Sequence, residues 1–372
     1  MKLFKYVLIT LLLITQINSL EAIQSHRTRA KRAASQLNWE VTTGQKELYP
    51  AMQAFGGPYT VHPEIEKYVQ QILTKLVTPY NRQNMPFEVK IVNSSIPNAV
   101  TLPGGKIVLT RGLLLLAESE SELASVLSHE IHHALANHAL KAKKKAARMN
   151  IFLGGLAFLD GGLITSTVGR LAGMGALASS GRACEIECDM AGLTYMTQAG
   201  YDPRAMERMQ KKFLHLERSR KRGPVASFFA SHPPSGIRLK NIQKKIAHLP
   251  KPQNYSNDQF QKILAPLIEK KQAYVHYESA KRHLERGSYS EAIKEADKAI
   301  AIEPNEAIFY LAVGNGQYYL GNQEAADRAF TLAGKLNPYF DHSSKIQPYL
   351  VKKLEQRSRS KQMGAQPKHK RK

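Results

Sequence analysis

The chain has 372 residues, 43% of them hydrophobic, which argues for globular protein over most of its length and leaves room for two domains with a sizeable core. Its 53 lysines and arginines against 30 acidic residues give a formal charge of +23, while only two cysteines exclude a small fold stapled by disulfides. The excess charge clusters at Arg27 to Arg32, Lys141 to Arg148, Arg218 to Arg222 and Lys352 to Lys372. Such patches can neutralise phosphates, but no zinc-finger spacing, RNA-binding signature or array of aromatics accompanies them. Nucleic acid is therefore set aside; peripheral contact with an anionic envelope membrane, or solubility alone, explains the charge.

Lys2 and Lys5 precede an apolar run from Tyr6 to Thr15, followed by Gln16, Asn18 and Ser19. This predicts a secretory signal peptide over 1–22 and a mature protein in the periplasm of a two-membraned host. The run is short for a bilayer span. Residues 23–36 read as a basic, flexible lead. Beyond it, Gln45 to Met52 and His62 to Leu76 read as helices, the second opened by Pro63 and carrying Ile65, Val69, Ile72 and Leu76 on one face. Phe87 to Val92 alternates as a strand, and Gly104-Gly105 separates it from a further strand at Lys106 to Thr110. An exposed edge of such a sheet could hold an extended peptide substrate.

Ser121 to His138 carries the chemistry. It reads as a helix with apolar Leu123, Val126 and Leu127 and contains His129-Glu130-Ile131-His132-His133. At roughly 100° per residue, His129 and His133 share a face and can reach one metal ion, with Glu130 beside it as the proton-accepting base. Zinc, one ion per chain, suits imidazole donors and acidifies water, so the expected reaction is attack of that water on a peptide carbonyl. A third histidine six positions after His133 is absent, since Ala139 stands there. A later helix offers the carboxylate of Glu185, with Asp189 one turn on to hold the free ring nitrogen of a ligand histidine. His132 and His138 read as surface residues or outer neighbours of the site.

From Asn150 to Gly181 the chain is apolar and glycine-rich, but Asp160, Arg170 and Gly161-Gly162 oppose a membrane helix; a buried hairpin or flap over the site is expected. A helix at about Arg204 to Arg218, a His232-Pro233-Pro234 turn and a helix at Arg238 to Ala247 follow. Pro250 and Pro252 then open a polar linker. In the last third Gly287, Ala292, Ala299 and Pro304 recur 34 positions later as Gly321, Ala326, Ala333 and Pro338, a tetratricopeptide-type period. A further helix at Asp258 to Lys271, a capping helix at His342 to Gln356 and a basic disordered tail over 357–372 complete the reading. Domain boundaries are accordingly expected at 37–250 and 251–356.

The Asn98-Ala99-Val100-Thr101-Leu102-Pro103-Gly104-Gly105 stretch, the His-Glu-x-x-His helix, Glu185 with Asp189, and His232-Pro233 with Arg238 resemble the HtpX and CAAX prenyl protease family of zinc metallopeptidases, in particular its soluble, repeat-bearing envelope members of the beta-barrel assembly-enhancing type. The resemblance implies an α+β fold: a mainly helical zincin (gluzincin-type) catalytic domain with a small β-sheet, followed by an all-α tetratricopeptide repeat domain. It implies that His129, His133 and Glu185 hold zinc, that Glu130 is the base, that His232 can shield the metal's open position, and that Arg238 stands behind the site or beside the developing oxyanion. Substrates would be misfolded or unassembled envelope and outer-membrane polypeptides, with the outer-membrane assembly machinery a partner of the repeats. The alternative is a periplasmic chaperone or assembly factor with little proteolysis. A secreted basic effector is a third reading, drawn from the charge and the tail. Cys188 reads as a small packing residue, and with Cys184 one turn earlier the pair could instead be a redox or metal element.

Overall fold

Strand β3 (Lys106–Thr110) is buried along its whole length, because it is the middle strand of a three-stranded sheet and helices cover it. It runs parallel to β1 (Glu88–Val92) and antiparallel to β2 (Ala99–Leu102), giving the order β1-β3-β2 and leaving β2 at an edge. The tight Pro103–Gly105 turn that joins β2 to β3 needs positive φ at Gly104 and Gly105, which only glycine adopts without strain. The computed structural model describes residues 2–81, 84–141, 168–219, 232–249 and 257–340.

Helix α2 (Pro63–Val77) starts on its proline and buries Ile65, Val69, Ile72 and Leu76, the face expected from the spacing. After β3, Thr110 caps α3 (Arg111–Leu116) and Ser119 caps α4 (Glu120–Leu135), while Glu122 reaches back to the Glu118 N–H. Caps of this kind are worth about 1 kcal/mol each. They fix where the metal-type helix begins. Helix α5 (Val168–Gln198) packs along α4, and α6 (Arg204–Ser219) and α7 (Gly236–Ile246) complete this part of the chain.

Two expectations are corrected. Residues 23–36 do not form a flexible lead; they belong to one helix, α1 (Lys2–Ala54), whose last turns contain the expected 45–52 helix. Alanine, arginine, lysine and glutamine dominate that stretch, and no glycine or proline interrupts it before Gly44. The metal-type helix also does not run to His138. It stops at Leu135, and Asn137 takes a left-handed φ of 56°, a conformation asparagine tolerates.

The last third forms α8 (Asp258–Glu269), α9 (Lys271–Arg286), α10 (Tyr289–Ile302), α11 (Ala307–Tyr319) and α12 (Gln323–Leu336). Gly287 and Gly321 sit at matching turns with φ of 80° and 83°. Small residues let the helices meet closely: a Cβ on Gly316 would lie 2.5 Å from Ile293, and Ala292, Ala296, Ala299 and Ala333 are fully buried. These helices dock on the first part of the chain. The Arg111 guanidinium lies 3.6 Å from the Tyr274 ring centre, Ser95 donates to Glu278, and the Asn337 amide donates to the Pro58 carbonyl.

Part of the hairpin or flap expected at 150–181 lies outside the described residues, and from Val168 onward the backbone is already α5. The polar linker opened by Pro250 and Pro252, the capping helix expected at 342–356 and the tail also fall outside them. Among the described residues, no helix is long and apolar enough to cross a membrane.

Candidate metal centre

Helix α4 places His129 and His133 one turn apart on one face, and α5 crosses it closely enough to bring Glu185 against both. Gly192 permits that approach: a Cβ there would lie 2.9 Å from Ser128 Oγ and 3.4 Å from the His129 nitrogen. The two Nε2 atoms face each other at 3.1 Å. Glu185 closes the third side, with Oε2 3.3 Å from His129 Nε2 and Oε1 3.2 Å from His133 Nε2. His232, arriving from the start of the 232–249 segment, sets Nδ1 3.2 Å from Glu185 Oε2. Donor atoms of His129, His133, Glu185 and His232 thus all lie within 4.8 Å of one another.

Glu130 sits beside this cluster, 2% exposed. Its Oε2 accepts from Thr101 Oγ1 at 2.6 Å, and its Oε1 lies 3.7 Å from His232 Nε2. Behind the cluster, His129 Nδ1 donates to Asp189 Oδ1 at 3.0 Å. Arg238 grips both Asp189 oxygens at 2.7 Å and Glu185 Oε2 at 2.9 Å. Arg238 therefore holds the carboxylates that hold the imidazoles. His132 turns away, bonding Tyr195 and the exposed Glu187. A cleft of about 410 Å³ adjoins the cluster, walled by Val126, Met206, Met209 and Phe213 together with His232 and Arg238.

Charge provides a test of whether a metal fits. Among the described residues, Glu130, Glu185 and Asp189 are buried carboxylates facing one buried guanidinium, Arg238. With neutral imidazoles, two negative charges remain, and burying them uncompensated is prohibitively costly. A divalent cation among His129, His133 and Glu185 balances them, and two imidazoles with one carboxylate form a donor set suited to it. Without a cation, protonation of His129 would supply part of that compensation. Burial disfavours a charged His129 ring, but the carboxylates of Glu185 and Asp189 outweigh it and push its pKa up to about 10. Burial likewise raises Glu185, yet the surrounding histidines outweigh it and hold the carboxyl far below its usual range.

Sequence reasoning brought forward His129, Glu130, His133, Glu185, Asp189, His232 and Arg238, and all seven meet at this place. It did not single out Thr101, which orients Glu130, or Gly192, which sets the helix spacing. It also placed His138 on a continuing helix, whereas His138 folds back so that its Nδ1 lies 3.1 Å from Nδ1 of His133. The asparagine after Ala136 was the available sign of that turn.

A His-Glu-x-x-His helix, a carboxylate from a second helix and a buried glutamate beside an edge strand define a metallopeptidase. The chain carries a domain of peptidase family M48, whose family description matches residues 63–246. Over 212 residues it is 28% identical to the mitochondrial metalloendopeptidase OMA1 of Schizosaccharomyces pombe, covering 56% of this chain and 61% of that protein. Over 281 residues it is 25% identical to the beta-barrel assembly-enhancing protease of Escherichia coli K12, covering 67% of this chain and 57% of the relative. With the OMA1 of Arabidopsis thaliana the identity is 33% over 155 residues, 41% of this chain and 30% of the relative. The chain thus spans at most about three fifths of the length of these relatives.

Proposed function

We propose that the protein is a zinc metalloendopeptidase of the periplasm that hydrolyses peptide bonds in misfolded or unassembled envelope and outer-membrane polypeptides. The observation that carries this reading is the convergence of His129 Nε2, His133 Nε2 and the Glu185 carboxylate with Glu130 alongside. Zinc held by these three residues supplies a Lewis acid that polarises the scissile carbonyl and acidifies water. Glu130, its Oε2 tied to Thr101 and its Oε1 open toward the cluster, takes the proton from the attacking water and delivers it to the leaving amine. The edge strand β2 lies along the same side of α4 and can add an extended peptide main chain, with little demand on side-chain identity.

His232 restrains this site. Its ring sits 5.4 Å from that of His129 and 5.1 Å from that of His133, where it occupies the position substrate needs. The helices from α8 to α12 act as a tetratricopeptide unit within 251–356 that presents polypeptide substrates and contacts the outer-membrane assembly machinery. The matched 34-residue period and the paired turns at Gly287 and Gly321 support that reading. The shielded centre also favours a second reading, a chaperone or assembly factor that cuts rarely.

The experiment compares purified full-length protein with Glu130→Gln on an unfolded outer-membrane protein, with metal content measured in both. Zinc in both and cleavage by the unaltered protein alone is expected. Equal cleavage by both removes Glu130 from the mechanism, and an envelope phenotype rescued equally well by Glu130→Gln supports the chaperone reading.

A further inference from the structure

We propose that His138 is a positioning residue for the metal centre: its Nδ1 accepts a hydrogen bond from Nδ1–H of His133 and so fixes the tautomer that leaves His133 Nε2 free for the ion. This rests on the metallopeptidase reading above and goes beyond it in assigning a role to a residue outside the ligand set.

On an unbroken helix His138 would lie roughly 140° around the axis from His133 and could not reach its ring. The helix breaks instead at Ala136 and left-handed Asn137. Asn137 is held in place when its side-chain nitrogen faces the Glu40 carboxylate of α1, at 2.9 and 3.0 Å, and the Ala134 carbonyl at 3.1 Å. The turn swings His138 beneath His133, where it is 7% exposed, with ring centres 5.0 Å apart and the two Nδ1 atoms 3.1 Å apart.

With a metal ion held at His133 Nε2, one proton arrangement remains. His133 Nε2 faces His129 Nε2 and Glu185 Oε1, so its lone pair serves the metal and its proton sits on Nδ1. That proton points at His138 Nδ1, which must be bare, leaving the His138 proton on Nε2. Among the described residues Nε2 has no hydrogen-bond partner at direct range, and it lies 3.6 Å from Glu187 Oε2. Cys188 Sγ lies 3.5 Å from the same His138 Nδ1, so its thiol is a second, weaker donor to that nitrogen.

The two ligand histidines are therefore held differently. His129 leans on the anionic Asp189, and His133 on a neutral imidazole. A neutral partner orients the ring without adding a further negative charge to a pocket that already carries an excess, which preserves the Lewis acidity of the ion.

The test uses full-length His138→Leu and His138→Asn, with zinc affinity measured by chelator competition. Leucine fills the space without an acceptor, whereas the asparagine Oδ1 stands in for Nδ1. Leucine is expected to weaken zinc binding by about 10- to 100-fold, and asparagine to restore most of it. Unchanged affinity with leucine, or equal losses with leucine and asparagine, overturns the inference. Histidine-selective ¹⁵N spectra of the zinc-loaded unaltered protein give a reading that needs no variant. His133 protonated at Nδ1 with His138 bare at Nδ1 is expected, and a proton on His138 Nδ1 overturns it. Absence of zinc from the unaltered protein would remove the metal reading and this inference together, while tight zinc in both the unaltered protein and His138→Leu removes this inference alone.

Discussion

Thr101 Oγ1 donates a 2.6 Å hydrogen bond to Oε2 of Glu130, across the gap between edge strand β2 and helix α4. The bond ties the carboxylate proposed as the base to edge strand β2. Burial raises the Glu130 pKa, but His232, His133, His129 and this hydroxyl lower it more, so the carboxyl stays ionised. Hydrogen bonds to a charged group are worth about 1.5–3 kcal/mol. Thr101→Val, which keeps the shape and removes the donor, should therefore lower kcat by about tenfold or more. Thr101→Ser should restore most of the rate. Steady-state kinetics on a peptide substrate check this, and a valine variant at full rate would show that the bond does not position the base.

His232 should behave as a restraint. Its removal in His232→Ala leaves the donors of His129, His133 and Glu185 in place and takes away a ring that contacts Glu185 and lies over Glu130. Faster cleavage of unfolded polypeptide at unchanged zinc stoichiometry is expected. A large loss of rate with zinc retained would instead make His232 a participant in the chemistry.

Acid stability should report the cross-strand pair Glu88 and Lys106. These residues are register partners on β1 and β3, with Lys106 Nζ 2.7 Å from Glu88 Oε2. Burial raises Glu88, but Lys106 and Lys90 outweigh it and lower its pKa. A carboxyl lowered on folding contributes stability that is fully present above the unfolded value, about 4.3, and is lost as pH falls through the lower folded value. Because Glu88 is about a third exposed, its share is at most about 1 kcal/mol. Lys106→Met should thus lose less stability than the unaltered protein as pH drops below about 4. Thermal melts across pH 3–6 measure the difference, and parallel curves would contradict it.

Tyr274 should join the C-terminal helices to α3. Its ring lies 3.6 Å from the buried Arg111 guanidinium, and its hydroxyl donates to Glu306 at 2.9 Å. Tyr274→Ala opens a cavity and leaves a buried cation without its aromatic face, so a loss of about 3 kcal/mol or more is expected in denaturant unfolding. A loss below about 1 kcal/mol would show that the two parts do not stabilise each other here.

Much of this site is legible in the sequence because it is periodic. His129 and His133 are one helical turn apart, as are Glu185 and Asp189, and the spacing alone puts each pair on one face. The strand, the glycine turn and the 34-residue period are equally local signals. What escapes depends on which face of one element meets another. Nothing in β2 marks Thr101 rather than Val100 as the residue that reaches α4. Gly192 looks like an ordinary helix glycine until α4 lies against it. The 23–36 lead misleads because positive charge and polarity suggest solvent exposure, which a helix satisfies as readily as a coil.

The most direct test is the metal content of Glu185→Ala beside the unaltered protein, each purified without chelators and titrated with zinc. The site described here calls for one tightly held zinc per unaltered chain and a severe loss of affinity in the variant, because the carboxylate bridging His129 and His133 is gone. Wild-type stoichiometry and affinity in Glu185→Ala would contradict it.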